Sequence, residues 1–158
     1  MNINYNRFWC DIKIGETFDT EGITIDRKDI LEFAAEFDPQ PYHLDKDAAD
    51  ESIFGGLCAS GWHVTAVMMR MLTDVFSNQR IALLGSNAVS SLDWRKPVFA
   101  GDTLSSQITV SNKSESDDNR FGYIDCDVEV VNQKTEPVIR LTTTLMIGCA
   151  LAGEAEHG

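Results

Sequence analysis

From Trp62 to Phe76 the chain carries Val64, Ala66, Val67, Met68, Met69, Met71, Leu72, Val75 and Phe76, a run of helical length that is apolar around most of its circumference. An ordinary surface helix shows one apolar stripe, so a helix apolar on most sides has to be covered on several. The residues after it supply the cover. From Ile81 onward the pattern is β, with runs over 88–99, 103–111, 123–131 and 138–149 separated by turn residues. Long antiparallel strands and one buried helix predict an α+β architecture, a curved sheet wrapped around a central helix. The 158 residues, 43% of them hydrophobic, suffice for one domain with a real core. That domain is expected over 1–151, with a loose tail over 152–158.

Ahead of the central helix, Cys10 to Ile25 reads as an extended segment and a strand. Asp26 is a suitable N-cap, and Asp29 is an acid in the favoured first turn. Ile30, Leu31, Phe33, Ala34 and Phe37 then share one helical face. Pro39 and Pro41 stop this helix. Each proline fixes its own φ and biases the residue before it away from the helical region. The stretch Phe37-Asp38-Pro39-Gln40-Pro41-Tyr42-His43-Leu44-Asp45 is therefore expected to be a stiff extended loop. It holds a carboxylate and an imidazole in fixed relation, and such a pair can serve one bound molecule as general acid and base. The spacing alone also suits a helix-ending loop with a surface acid and a structural histidine. Lys46 to Ser52 reads as a short helical turn. Phe54-Gly55-Gly56-Leu57-Cys58-Ala59-Ser60-Gly61 then leads into the central helix.

Charge and composition exclude several roles. The formal net charge is −12, with no basic patch to neutralise phosphates, so nucleic acid is not an expected partner. No apolar run reaches the ~20 residues that cross a bilayer. Met1 to Arg7 is polar and lacks a signal core. A cytoplasmic protein is expected. The four cysteines, Cys10, Cys58, Cys126 and Cys149, have neither paired nor zinc-type spacing. They read as buried thiols, with Cys58 alone a candidate nucleophile because it sits beside the glycine-rich segment.

In this order the segments resemble the MaoC-like dehydratases of the hot-dog fold and are similar to the (R)-specific enoyl-CoA hydratases, over roughly Asn6 to Cys149. The entry Phe8-Trp9-Cys10-Asp11-Ile12-Lys13-Ile14-Gly15-Glu16 looks like the family's start. Asp38 to His43 looks like its hydratase motif: aspartate, any residue, asparagine, proline, an apolar residue, histidine. Phe54 to Gly61, Trp94-Arg95-Lys96-Pro97-Val98 and Gly101-Asp102-Thr103-Leu104 match the segments around the central helix. Three departures stand out. Gln40 replaces the asparagine, Tyr42 a smaller aliphatic residue, and Ser60-Gly61 the common His-Gly pair.

The resemblance implies reversible addition of water across the α,β double bond of a 2-enoyl-CoA thioester. His43 is the implied base toward water, and Asp38 orients the water and relays its proton. Gly61, entering the helix, is the candidate N–H donor to the thioester oxygen. Ser60 is expected to cap the helix, or else to add a hydroxyl contact. Gln40 and Tyr42 are candidate substrate contacts, and Arg95 and Lys96 candidates for the CoA phosphates. His63 is expected to pack on its helix. Met68, Met69 and Met71 are expected in the core, or as a wall for an acyl chain. No metal or separate cofactor is implied, coenzyme A being part of the substrate. A homodimer or higher assembly is expected, since pairing covers an exposed sheet edge. The alternatives are a hot-dog acyl-CoA thioesterase and a non-catalytic acyl-CoA-binding domain.

Overall fold

The computed structural model describes residues 4–150; the end of the expected domain at 151 and the expected tail over 152–158 lie outside them. Asp26 opens the first helix, its carboxylate accepting the Lys28 N–H at 2.8 Å. That bond satisfies one of the orphan donors of a helix start. Helix α1 (Arg27–Phe37) buries Ile30 and Ala34 and ends at Asp38, whose φ of −148° has left the helical region. The stiff loop expected across 38–43 proves shorter than its prolines suggest. Pro41 is the first residue of a one-turn helix, α2 (Pro41–Leu44), which carries His43. Proline suits that position because the N–H it lacks has no helical partner there. Helix α3 (Lys46–Glu51) follows, capped by Asp45 onto the Ala48 N–H.

The strands are β1 (Thr17–Asp19), β2 (Ile23–Thr24), β3 (Leu83–Trp94), β4 (Thr103–Glu115), β5 (Phe121–Val131) and β6 (Pro137–Gly148). All pair antiparallel in the order β1-β4-β5-β6-β3, with β2 also on β4. Alternation gives the sheet its two faces. On β5, Gly122, Ile124, Cys126, Val128 and Val130 are buried, and the residues between them are not. Helix α4 (Gly61–Asn78) lies in the concave face. Its Val64, Met68, Met71, Leu72 and Phe76 share one core with Phe18, Leu104, Ile108, Ile124 and Leu145. This curved antiparallel sheet around one helix is the expected hot-dog arrangement.

Burial of α4 is more one-sided than its composition suggests. Trp62 is 58% exposed, and Ala66, Arg70, Thr73 and Asp74 face outward. The sheet covers one side of the helix, and nothing among the described residues encloses the other. Strand β3 is the second open element. It stands at the sheet edge, exposes Leu84, Val89 and Trp94, and shifts register against β6 in three places.

Inside the core, Phe18 of the sheet packs on Phe76 of the helix, both fully buried with ring centroids 5.0 Å apart. Phe76→Ala removes a buried ring where the sheet cannot collapse onto the gap. It is expected to cost about 3–5 kcal/mol, read as a lower urea midpoint with an unchanged m-value.

Candidate active site

The site is assembled from a turn far along the chain. Gly101 has φ of +91°, a conformation that favours glycine. Next to it, the Asp102 carboxylate accepts the Phe99 N–H at 2.9 Å. The segment so held pairs with the stretch before α4: Phe99 bridges Cys58, and the Ala59 N–H donates to the Val98 carbonyl at 2.8 Å. The Cys58 carbonyl is thereby fixed, and His43 Nδ1 meets it at 2.6 Å. A carbonyl only accepts, so Nδ1 carries the proton and the neutral ring presents the lone pair of Nε2.

Nε2 lies 3.5 Å from Asp38 Oδ2. The same oxygen accepts the Ser60 hydroxyl at 2.7 Å. Ser60 is wholly buried at the N-cap of α4, yet its side chain makes no capping bond. The expected cap is thus replaced by a contact to the acid. Within the site His43 is buried, while the Asp38 side chain is a quarter exposed. Imidazole lone pair and carboxylate are both acceptors, and their separation exceeds a good hydrogen bond. One water can give a hydrogen to each, and each can then take a proton from it.

Asp38, His43, Gly61, Tyr42, Arg95 and Lys96 all line one cavity of about 380 Å³. Its walls also include Phe54, Trp62 and Trp94, three aromatic residues that the sequence did not single out as site residues. Tyr42 packs on the edge of His43 and on Phe54, at 4.4 and 5.2 Å between centroids. Trp62 and Trp94 meet edge to face at 4.9 Å. The Trp94 indole N–H donates to the Gly61 carbonyl at 3.0 Å, and a Cβ on residue 61 would sit 2.7 Å from its ring. Gly61 is therefore needed to seat Trp94. Its own N–H, in the first turn of the helix, is not engaged by the Ser60 side chain. The sequence signal for this wall was the placement of tryptophan directly before Arg95 and directly after Gly61.

One expectation needs correction. Gln40 is exposed and outside the cavity; only its backbone holds the loop, through Gln40 N–H to Asp38 O at 2.7 Å and His43 N–H to Gln40 O at 3.0 Å. Lys96 is engaged by the Glu136 carboxylate, whereas Arg95 has no ion pair among the described residues. Cys58 contributes its carbonyl. Its thiol is buried, and burial pushes its pKa up, away from the thiolate a nucleophile needs. Met68 and Met71 are core and Met69 is half-buried; none of them lines the cavity. Among the described residues no group of three or more His, Cys, Asp or Glu side chains is placed to hold a metal.

His63, expected to pack on its own helix, instead stacks across on Phe33 of α1 at 4.9 Å, and its buried Nδ1 has no hydrogen-bond partner among the described residues. Burial lowers its pKa, against the opposing charge of Asp29. In the unfolded chain it protonates near the ordinary value of ~6.5; in the folded chain it does so only at lower pH. Its stability contribution is therefore present above about pH 6.5 and is lost as pH falls toward the folded value. His63→Phe keeps the stack and removes the titration. Denaturation from about pH 7.5 to about 5.5 should show a shallower loss of stability for the variant, and equal slopes would refute the assignment.

A family model described as the MaoC like domain matches residues 11–132. The Bacillus subtilis (strain 168) uncharacterized protein YdeM is 28% identical over 138 residues, 87% of this chain and 96% of its own. The crystal structure of the MaoC-like dehydratase from Rhodospirillum rubrum is 35% identical and superimposes with a TM-score of 0.81, covering 93% of this chain and all of that one. The R-hydratase PhaJ1 from Pseudomonas aeruginosa shares the fold at 22% identity, with a TM-score of 0.67 over 93% of this chain and 92% of its own. The chain belongs to the MaoC-like dehydratases, a family of hydratases and dehydratases on the hot-dog fold.

Proposed function

We propose that the protein adds water reversibly across the α,β double bond of a 2-enoyl-CoA thioester. The observation that carries this reading is the arrangement of His43 Nε2 and Asp38 Oδ2, 3.5 Å apart on the wall of a cavity rich in apolar and aromatic residues. In the hydration direction a water donates one hydrogen to each. His43 takes a proton as the oxygen attacks the β-carbon. Asp38 holds the water by its second hydrogen and relays the proton between the two groups. The proton is then delivered to the α-carbon, so that the hydroxyl and the hydrogen both come from one water. Charge developing on the thioester oxygen is met by the Gly61 N–H at the positive end of α4.

Arg95 at the cavity is the better placed cation for the CoA phosphates, since Lys96 is already paired with Glu136. Tyr42, packed on His43, narrows the acyl end relative to a smaller aliphatic residue. No separate cofactor is required. The edge of β3 and the outer side of α4 are the surfaces a second copy would cover in a homodimer. Cytoplasmic residence suits four unpaired thiols, and no described helix is long and apolar enough to cross a membrane.

The test is a panel of 2-enoyl-CoAs, short, branched and dicarboxylic, followed by loss of the conjugated thioester absorbance. Asp38→Asn and His43→Ala should each slow hydration by ~10²–10⁴-fold with the fold intact by circular dichroism. Near-wild-type rates in both variants would remove the acid–base assignment. Release of free thiol from saturated acyl-CoA, without hydration of any enoyl-CoA, would replace hydration by thioester hydrolysis.

A further inference from the structure

Helix α4 begins without the cap its sequence offers. The Ser60 hydroxyl goes to Asp38, so the first N–H groups of the helix receive no side-chain oxygen from the N-cap. The first helical residue is Gly61, and glycine has more backbone freedom than any other residue. Helix ends of this kind fray unless something else holds them. Here the sheet supplies the hold. Trp94 is the last residue of β3 and pairs with the fully buried Ile139. The next N–H, that of Arg95, donates to the Val138 carbonyl at 2.8 Å. The backbone under Trp94 is therefore part of the sheet, while its side chain reaches across to α4.

The indole grips Gly61 in two ways. Its ring covers the glycine, and a Cβ on residue 61 would lie 2.7 Å from Cε2 and 2.9 Å from Nε1 of that ring. Its Nε1–H donates to the Gly61 carbonyl at 3.0 Å and is shared with the Thr65 hydroxyl at 3.1 Å. The Thr65 hydroxyl in turn donates to the same carbonyl at 2.9 Å. Two side-chain donors thus converge on one carbonyl. The Gly61 N–H is left open, with no acceptor among the described residues. Gly61 and Trp94 line the same cavity as Asp38 and His43.

We propose that Trp94 is a positioning residue for the reaction. Its ring and its N–H together fix the Gly61 peptide, so that the open Gly61 N–H stays aimed at the place where the thioester oxygen gathers charge. The inference rests on the hydratase reading and deepens it at one donor. Such donors act most strongly when they are oriented before charge develops, and an unheld glycine has to be ordered during the reaction instead. Trp94 touches no reacting atom and acts through Gly61.

The experiment compares wild type with Trp94→Phe, which keeps an aromatic ring beside Gly61 and deletes the N–H. Crotonyl-CoA serves as substrate, and butanoyl-CoA, which has no double bond to hydrate, as the probe for amide NMR. Trp94→Phe should lower kcat by up to ~100-fold with KM little changed, the pattern of an interaction used in the transition state. The Gly61 amide proton of wild type should move downfield when butanoyl-CoA binds, as it donates to the thioester oxygen. In the variant, at saturation, it should move less. The urea midpoint should stay near the wild-type value, because Trp94 is 45% exposed. A raised KM with unchanged kcat would make Trp94 an ordinary wall of the cavity and overturn the proposal. So would Gly61 shifts that are equal in the two proteins, or absent from both. If wild type leaves crotonyl-CoA untouched, it is the hydratase reading that fails at this substrate, and the Gly61 shifts still decide the role of Trp94.

Discussion

The Cys58 carbonyl can only accept, so the His43 ring that meets it at 2.6 Å has to carry its proton on Nδ1. The other tautomer would set two lone pairs against each other and leave a buried acceptor unsatisfied, at a cost of about 1–3 kcal/mol. With Nδ1 committed, Nε2 is left as a base facing Asp38. The bond also ties the loop after α1 to the segment before α4, and the Ser60 hydroxyl on Asp38 ties it a second time. Both anchors stand within three residues of each other, next to the first turn of the central helix. Acid, imidazole and helix N-terminus are thus referenced to one short stretch of chain.

The core of the hot-dog fold holds that stretch still. Phe76 and Leu72 fix the far end of α4 in the sheet, and Val64 fixes the near end. The outer side of the helix is less well covered. Trp62 and Trp94, at 58% and 45% exposure, form an aromatic wall that closes the cavity only in part. Apolar surface is left on the edge strand β3 and on the adjoining helix face, and it adjoins the cavity mouth. A second copy seated on this surface would also bound access to the site.

Much of the fold was legible because its signals are local. Asp26 announces α1, the apolar run announces α4, and period two announces the strands. Asp38 and His43 were legible as a pair because acid, prolines and histidine stand close together in the chain. What escaped depends on contacts between distant residues. Ser60 has the chemistry of a helix cap, and only the approach of Asp38 diverts its hydroxyl. Lys96 reads as a free cation until the β5–β6 turn delivers Glu136. Cys58 drew attention for its thiol, whereas the group that acts on His43 is a carbonyl every residue possesses. Pro41 was read as a helix stop, and in this chain it is a helix start. The aromatic wall was missed because tryptophan in an apolar run reads as core until its exposure is known.

The claim on which the rest stands is the protonation of one ring, and nitrogen NMR of the ¹⁵N-histidine-labelled protein measures it directly. Spectra of the neutral folded chain, assigned by comparison with His43→Gln, should show the His43 proton on Nδ1 and a bare Nε2. Binding of a non-reactive saturated acyl-CoA should perturb Nε2 and leave the Nδ1 proton in place. A His43 ring protonated on Nε2 alone would put the lone pair against the Cys58 carbonyl, and would contradict the account.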